Sequence, residues 1–205
     1  MAALRPAIFL DRDGTLNHPA AAGEYVTDPS QLRLLAGAAE AVMLLRGAGY
    51  ACVVVSNQRG VSLGRMSERQ LEAVDARLHE LVEIDRSYYC THGLDDGCDC
   101  RKPGAGLLLR AGVELKLGLA RSWMIGDSDS DCEAGLRAGC RTVKVTPTDG
   151  ALLEAATEIV AGAVPTVPTR RPSPYRERPI PQPSPHADRP HTPTVPTPHR
   201  RLSHE

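Results

Sequence analysis

The sequence predicts an α/β domain built on a mainly parallel sheet and followed by a proline-rich tail. Three observations carry that expectation. Short apolar runs (Ala7–Leu10, Tyr50–Val55 and Ser122–Ile125) alternate with longer stretches whose apolar residues recur every three or four positions. Buried parallel strands joined by crossover helices read in this way. Each run also stops abruptly in polar residues, at Asp11, at Ser56 and at Gly126-Asp127, as strands do where they open onto a ligand-binding rim. Finally, twelve of the 17 prolines fall between Pro165 and Pro198. A segment with so little to bury and so many residues that refuse hydrogen-bonded ladders is expected to be a disordered, polyproline-leaning tail. The expected boundaries are 1–161 for the domain and 162–205 for the tail.

The elements follow in order. Ala7–Leu10 is a first buried strand ending at Asp11. Ala38–Gly49 is a helix, with Ala39, Val42, Met43, Leu44 and Leu45 as its apolar face and Gly47 and Gly49 closing it. Tyr50–Val55 is a second buried strand. Ser67 is placed to cap a helix running to about Glu83, with Leu71, Val74, Leu78, Leu81 and Val82 turned inward. Ser87–Cys90 is a short strand, Gly106–Leu117 a helix, Ser122–Ile125 a third buried strand, Cys132–Ala138 a helix, Thr142–Val145 a strand and Ala151–Ala156 a last helix. Only about twenty residues separate Asp13 from the first helix, which leaves room for a minimal cap over the sheet and for no large second domain.

Composition excludes several function classes. Across 205 residues, 24 Lys and Arg against 25 Asp and Glu give a net charge of −1; there is no electrostatic case for nucleic acid as the main partner. The tail carries +4 and the body −5. No apolar run approaches the roughly 18 residues of a membrane span, and the start of the chain lacks the pattern of a secretory leader. A cytoplasmic, monomeric protein acting on a small molecule is expected. Of the six cysteines, Cys52, Cys132 and Cys140 have apolar neighbours and read as small core residues.

The polar residues at the strand ends carry the chemistry. Asp11 and Asp13, at i and i+2 on an extended segment, suit a hard cation, and a carboxylate oxygen there can serve as a nucleophile. Asp127 and Asp131 add carboxylates at another strand end, with Asp129 readable as no more than an acidic residue opening the next helix. Ser56 and Asn57 offer a hydroxyl and an amide, and Lys102 an ammonium at a helix start. Such donors set against carboxylates and a cation make a site for a phosphoryl group. Separately, Cys90-x-His92-x5-Cys98-x-Cys100 supplies three thiolates and an imidazole, a closed tetrahedral set for structural Zn²⁺ with no open position for catalysis. Its expected role is to pin a loop with nothing apolar to bury, and so to fix Arg101 and Lys102 directly behind it.

Asp11-x-Asp13-Gly-Thr, Ser56 after Val53-Val54-Val55, Lys102 and Gly126-Asp127-x3-Asp131 resemble the four motifs of the haloacid dehalogenase (HAD) phosphatases, a Rossmann-like superfamily. More narrowly, Phe9–Asn17, Ser56-Asn-Gln-Arg-Gly60 and Tyr89-Cys-x-His…Cys-Asp-Cys-Arg-Lys-Pro103 resemble the D-glycero-D-manno-heptose 1,7-bisphosphate 7-phosphatases, whose subgroup includes the histidinol-phosphate phosphatases. The resemblance implies that Asp11 attacks phosphorus and that Asp13 protonates the leaving oxygen and then activates water. It also implies that Mg²⁺ is held by Asp11, the Asp13 backbone carbonyl and Asp127, and that Ser56 and Lys102 stabilise the phosphoryl oxygens. Asn57, Gln58, Arg59 and Arg101 fall at positions beside the substrate, and Arg101 is suited to a second phosphate.

The departures from that subgroup lie around the substrate and away from phosphorus. Only Gly93–Gly97 separates His92 from the second cysteine pair, Thr91 follows Cys90, Gly-Ala-Gly follows Pro103, Ser128 follows Asp127, and the segment after Asn17 is longer than usual. Histidinol phosphate is the alternative substrate. A non-catalytic scaffold, docking partners through the zinc loop or through Thr192–Pro198, is the rival from another class; the intact set of Asp11, Asp13, Lys102 and Asp127 argues against it.

Overall fold

A computed structural model describes residues 4–162. The proline-rich tail, with its Thr192–Pro198 segment, lies outside the described residues apart from Gly162. Five parallel strands, β1 (Ala7–Leu10), β2 (Ala51–Asn57), β3 (Arg86–Cys90), β4 (Trp123–Gly126) and β5 (Arg141–Lys144), form one sheet in the order β3-β2-β1-β4-β5. Helices α1 (Ala38–Gly47), α2 (Glu68–Leu81), α3 (Gly106–Glu114), α4 (Asp129–Arg137) and α5 (Ala151–Ala161) alternate with them. The alternation expected from the sequence is therefore present, with every strand pair parallel.

Because β1 lies at the centre, its four residues are buried on both faces, which explains an unbroken apolar run in place of polar alternation. Ile8 and Leu10, with Cys52, Val54 and Ile125, pack against α1, α2 and α5. Ala7 and Phe9, with Val53, Val55 and Met124, pack against α3 and α4. Between β1 and α1 the described chain holds a single short 3-10 turn at Pro29–Gln31 and no inserted domain. The longer segment after Asn17 docks on the loop that follows β2: Tyr25 packs against Gly60, and Arg65 donates to the Gly23 carbonyl at 2.7 Å.

Several boundaries differ from expectation, and three extensions have a clear physical reason. Strand β2 runs on through Ser56 and Asn57 because these residues pair with Tyr89 and Cys90 of β3. Helix α4 begins at Asp129, before Cys132, because Ser128 and Asp131 form a reciprocal capping box. Helix α5 continues to Ala161, since Ile159 is still buried against α1. Ser67 caps α2 as expected. Cys52 and Cys140 are fully buried, whereas Cys132 is only half-buried.

Candidate active site

Strand order reverses at β1: the chain moves from β1 to β2 and β3 on one side, then returns to β4 on the other. In an open α/β sheet the crevice at such a point, beyond the carboxyl ends of the strands, is where ligands bind. Asp11 continues β1 there, its backbone N–H donating to Ile125 of β4 at 3.0 Å. Asp127 follows β4 directly. A cavity of about 180 Å³ opens between them. Asp11, Asp13, Ser56, Asn57, Lys102 and Asp127 line it, and Ser128, Ser130 and Asp131 complete it. The sheet thus gathers all four expected catalytic residues, Asp127 and Asn57. Gln58, Arg59 and Arg101 lie outside the lining.

Lys102 sits in the floor, 4% exposed. Its ammonium donates to Asp11 Oδ1 at 2.7 Å and to the Val55 carbonyl at 2.8 Å, and pairs with Asp131 Oδ1 at 2.5 Å. Burial alone would push this lysine down, but Asp11 and Asp131 outweigh it and hold the group above its usual value. The backbone of Lys102 is fixed as well: the Asn57 side-chain amide donates to its carbonyl and accepts from its N–H, both at 3.0 Å. Asn57 therefore works on Lys102 through the strand exit, a contact the local sequence does not announce.

The carboxylates are crowded. Oxygens of Asp11, Asp127 and Asp131 lie within 4.8 Å of one another. Burial raises Asp11, and Asp131 reinforces the shift against the opposing pull of Lys102. Burial and the neighbouring Asp11 and Asp131 likewise raise Asp127. Three carboxylates and one ammonium leave a surplus of two negative charges, the charge a divalent cation cancels. All-oxygen donors suit a hard ion such as Mg²⁺. Close glycines make the room: a Cβ on Gly14 (φ +87°) would fall inside the Asp127 carboxylate, and one on Gly126 inside that of Asp131. Asp131 enters by its helix cap, with Oδ2 accepting from Ser128 N and Oγ at 3.0 and 2.7 Å. Asp129 points away to Lys144 at 2.7 Å.

The Asp13 carboxylate faces a different set of partners. Arg12 donates to it through Nε (3.2 Å) and NH2 (2.9 Å), Asn17 through Nδ2 (2.9 Å) and Gln58 through Nε2 (2.8 Å). Burial alone would raise Asp13, but the Arg12 guanidinium and these hydrogen bonds win and hold it below the usual carboxylate range. Arg12 and Asn17 were assigned no role from the sequence. The available signal was an arginine standing between two carboxylates directly after an apolar strand; the structure buries it fully, and a buried charge needs a partner.

Cys90, His92, Cys98 and Cys100 converge, each offering a ligand atom within 4.8 Å of the others. Cys90 Sγ lies 3.8 Å from Cys98 Sγ, and His92 Nδ1 lies 3.1 Å from Cys100 Sγ. A tetrahedron with metal–sulfur bonds of about 2.3 Å has an edge of about 3.8 Å, so this cluster fits a Zn²⁺-sized ion. It abuts the cavity through the chain: Cys90 pairs with Asn57 in the sheet, its carbonyl accepts from Gln58 N at 2.7 Å, and Cys100 stands two residues before Lys102.

Comparison with known proteins agrees with this geometry. Residues 99–161 match the HAD-hydrolase-like family model. A D-glycero-β-D-manno-heptose-1,7-bisphosphate 7-phosphatase from Pseudomonas putida is 37% identical over 148 residues, covering 70% of this chain and 83% of that protein. Its namesake from Escherichia coli is 38% identical over 154 residues, covering 69% and 79%. Among solved structures, a D,D-heptose 1,7-bisphosphate phosphatase from B. bronchiseptica, complexed with magnesium and phosphate, aligns at TM-score 0.70 and 29% identity, covering 77% of this chain and 99% of that one. A putative HAD-like phosphatase from Mesorhizobium loti aligns at TM-score 0.67 and 29% identity, covering 79% and 88%.

Fold and site together define a phosphatase of the HAD class. Within that class, the chain belongs to the family of the D-glycero-β-D-manno-heptose-1,7-bisphosphate 7-phosphatases.

Proposed function

We propose that this chain removes the 7-phosphate from D-glycero-β-D-manno-heptose 1,7-bisphosphate by way of an aspartyl-phosphate on Asp11. The observation that carries the reading is the meeting of Asp11, Asp127 and Lys102 around one cavity at the strand-order reversal; the named relatives supply the substrate. An oxygen of Asp11, oriented by the 2.7 Å bond from Lys102, attacks phosphorus in line with the departing sugar oxygen. Asp13, ionised among its four donors at rest, takes up a proton from solvent as substrate displaces one of them and delivers it to that oxygen as the P–O bond breaks. It then takes a proton from the water that attacks the aspartyl-phosphate, which returns Asp11 and releases inorganic phosphate. Ser56 and Lys102 donate to the phosphoryl oxygens. Asp11 and Asp127 carboxylates, with the Asp13 backbone carbonyl, would hold Mg²⁺. When bound, that ion lowers the repulsion between a carboxylate nucleophile and a phosphate dianion.

Arg59 and Arg101 are read as the grip on the second phosphate. Each is half-buried and makes no side-chain hydrogen bond or ion pair among the described residues, so each guanidinium is uncommitted. The cysteine–histidine cluster is read as a structural Zn²⁺ site that braces Arg101 and Lys102. Thiols kept free in this way suit a reducing, cytoplasmic setting. Among the described residues no helix is long and apolar enough to cross a membrane. The protein is read as a monomer acting on a small phosphorylated sugar.

The test is phosphate release with Mg²⁺ from both anomers of the heptose bisphosphate, from histidinol phosphate and from simple sugar phosphates. The β-bisphosphate is expected to give the highest kcat/KM. Arg101→Ala should raise KM for the bisphosphate about tenfold or more and leave a monophosphate unaffected, since one charge-assisted pair accounts for about that much. Faster turnover of histidinol phosphate, or no Arg101 effect confined to the bisphosphate, would overturn the substrate assignment.

A further inference from the structure

We propose that Gln58 is a positioning residue for Asp13, acting with Arg12 as a two-part clamp, and that it does not contact the sugar. The inference rests on reading Asp13 as the proton-transfer group. Gln58 is 1% exposed and outside the cavity lining, and its whole amide is spent inward. Oε1 accepts from Arg12 NH2 at 2.9 Å, while Nε2 donates to Asp13 Oδ2 at 2.8 Å and to Ser56 Oγ at 3.2 Å. Arg12 is fully buried, its guanidinium 5.8 Å from the centre of the Tyr89 ring and forked onto both oxygens of Asp13.

With Asn17, these donors give the Asp13 carboxylate four hydrogen bonds, two on each oxygen. That fills its accepting capacity. Such a carboxylate meets the sugar oxygen or the attacking water only by giving up one bond. Arg12 is charged, forked and has no alternative acceptor among its hydrogen bonds beyond Gln58, so its grip persists and sets the direction of the carboxylate. The Gln58 bond is the one that yields. It is neutral, and its Nε2 already has Ser56 Oγ within reach as a second acceptor. When Oδ2 turns to substrate or water, Gln58 keeps its other bond, Oε1 accepting from Arg12 NH2, and so holds in place the guanidinium that aims the proton carrier.

The experiment compares Gln58→Met, Asp13→Asn and the double variant, with kcat and KM measured on one phosphomonoester at saturating Mg²⁺ and folding checked by thermal melting. Gln58→Met is expected to lower kcat about ten- to a hundredfold, the scale of impaired proton transfer, with KM within about twofold. In the Asp13→Asn background the same substitution should remove nothing further, because groups that act through one another are non-additive. Gln58→Asn, which keeps the amide and shortens its reach, gives the same comparison if the Met variant does not fold. A rise in KM with kcat preserved, an equal loss of kcat in both backgrounds, or no loss at all would overturn the clamp. A wild-type chain without turnover on any phosphomonoester would bring down the functional reading and the clamp together, whereas active wild type with additive variants sinks the clamp alone.

Discussion

Lys102 answers to three partners at once: the carboxylate of Asp11, that of Asp131 and the carbonyl of Val55. Its removal strands Asp11 and Asp131 in a cavity floor that water barely reaches. Breaking a buried ion pair from one side costs about 3–5 kcal/mol, so Lys102→Met should lose about that much unfolding free energy in urea. Part of the loss should return on adding Mg²⁺, which supplies positive charge to the same carboxylates. A loss below 1 kcal/mol, or one indifferent to Mg²⁺, would mean that the charges are not balanced against each other as described. The sequence offered Lys102 through its place at a helix start, and Asp11 and Asp127 through strands that run straight into carboxylates. It did not reveal Arg12, Asn17 or the share of Asp131, because their partners are set by how the tight turn at 12–17 and the α4 cap fold back on the site.

At the scale of the element, the exit of β2 and the cysteine loop form one unit. Ser56, Asn57 and Gln58 face the cavity floor, Lys102 and Asp13 in turn, while β3 pairs alongside them and delivers Cys90 to the metal-ligand cluster. Metal analysis is expected to find about one zinc per chain. Chelation should expose the half-buried Cys98, whose thiol backbone donors hold, against burial, below its usual value, to alkylation at pH 8.5 and lower phosphatase activity by loosening the loop before Lys102. Cys52 and Cys140 should stay unmodified in the folded protein. Burial pushes both thiols up to about 12, so at that pH neither supplies the reactive thiolate. Chelated protein with full activity and a protected Cys98 would remove the loop from this account. Here the sequence spacing announced the ligand set, since few other roles fit three cysteines and a histidine so close together. The extension of β2 was harder to read: Ser56 and Asn57 are polar, and only the pairing with Tyr89 and Cys90 makes them strand.

Across the whole molecule, function follows from where the sheet reverses its order. Central strand β1 is apolar on both faces because helices cover both, and that pattern was readable as a buried parallel strand. Which helices cover which face was not, because local periodicity is the same for α1, α2 and α5 on one side and for α3 and α4 on the other. The cavity draws all its lining from residues 11–131. A chain ending at residue 162 is therefore expected to keep kcat and KM within about twofold of the full protein, measured on the same phosphomonoester; loss of turnover would place part of the working enzyme beyond that point.

The most direct test of the account is to trap the covalent intermediate. Borohydride added during turnover with Mg²⁺ reduces an acyl phosphate to an alcohol, so an aspartyl-phosphate is read by peptide mass spectrometry as homoserine. Homoserine is expected at position 11, dependent on substrate and missing in Asp11→Asn. Sustained phosphate release with Asp11 unmodified, or homoserine at Asp13 or Asp127 in its place, would contradict the assignment of Asp11 as the nucleophile.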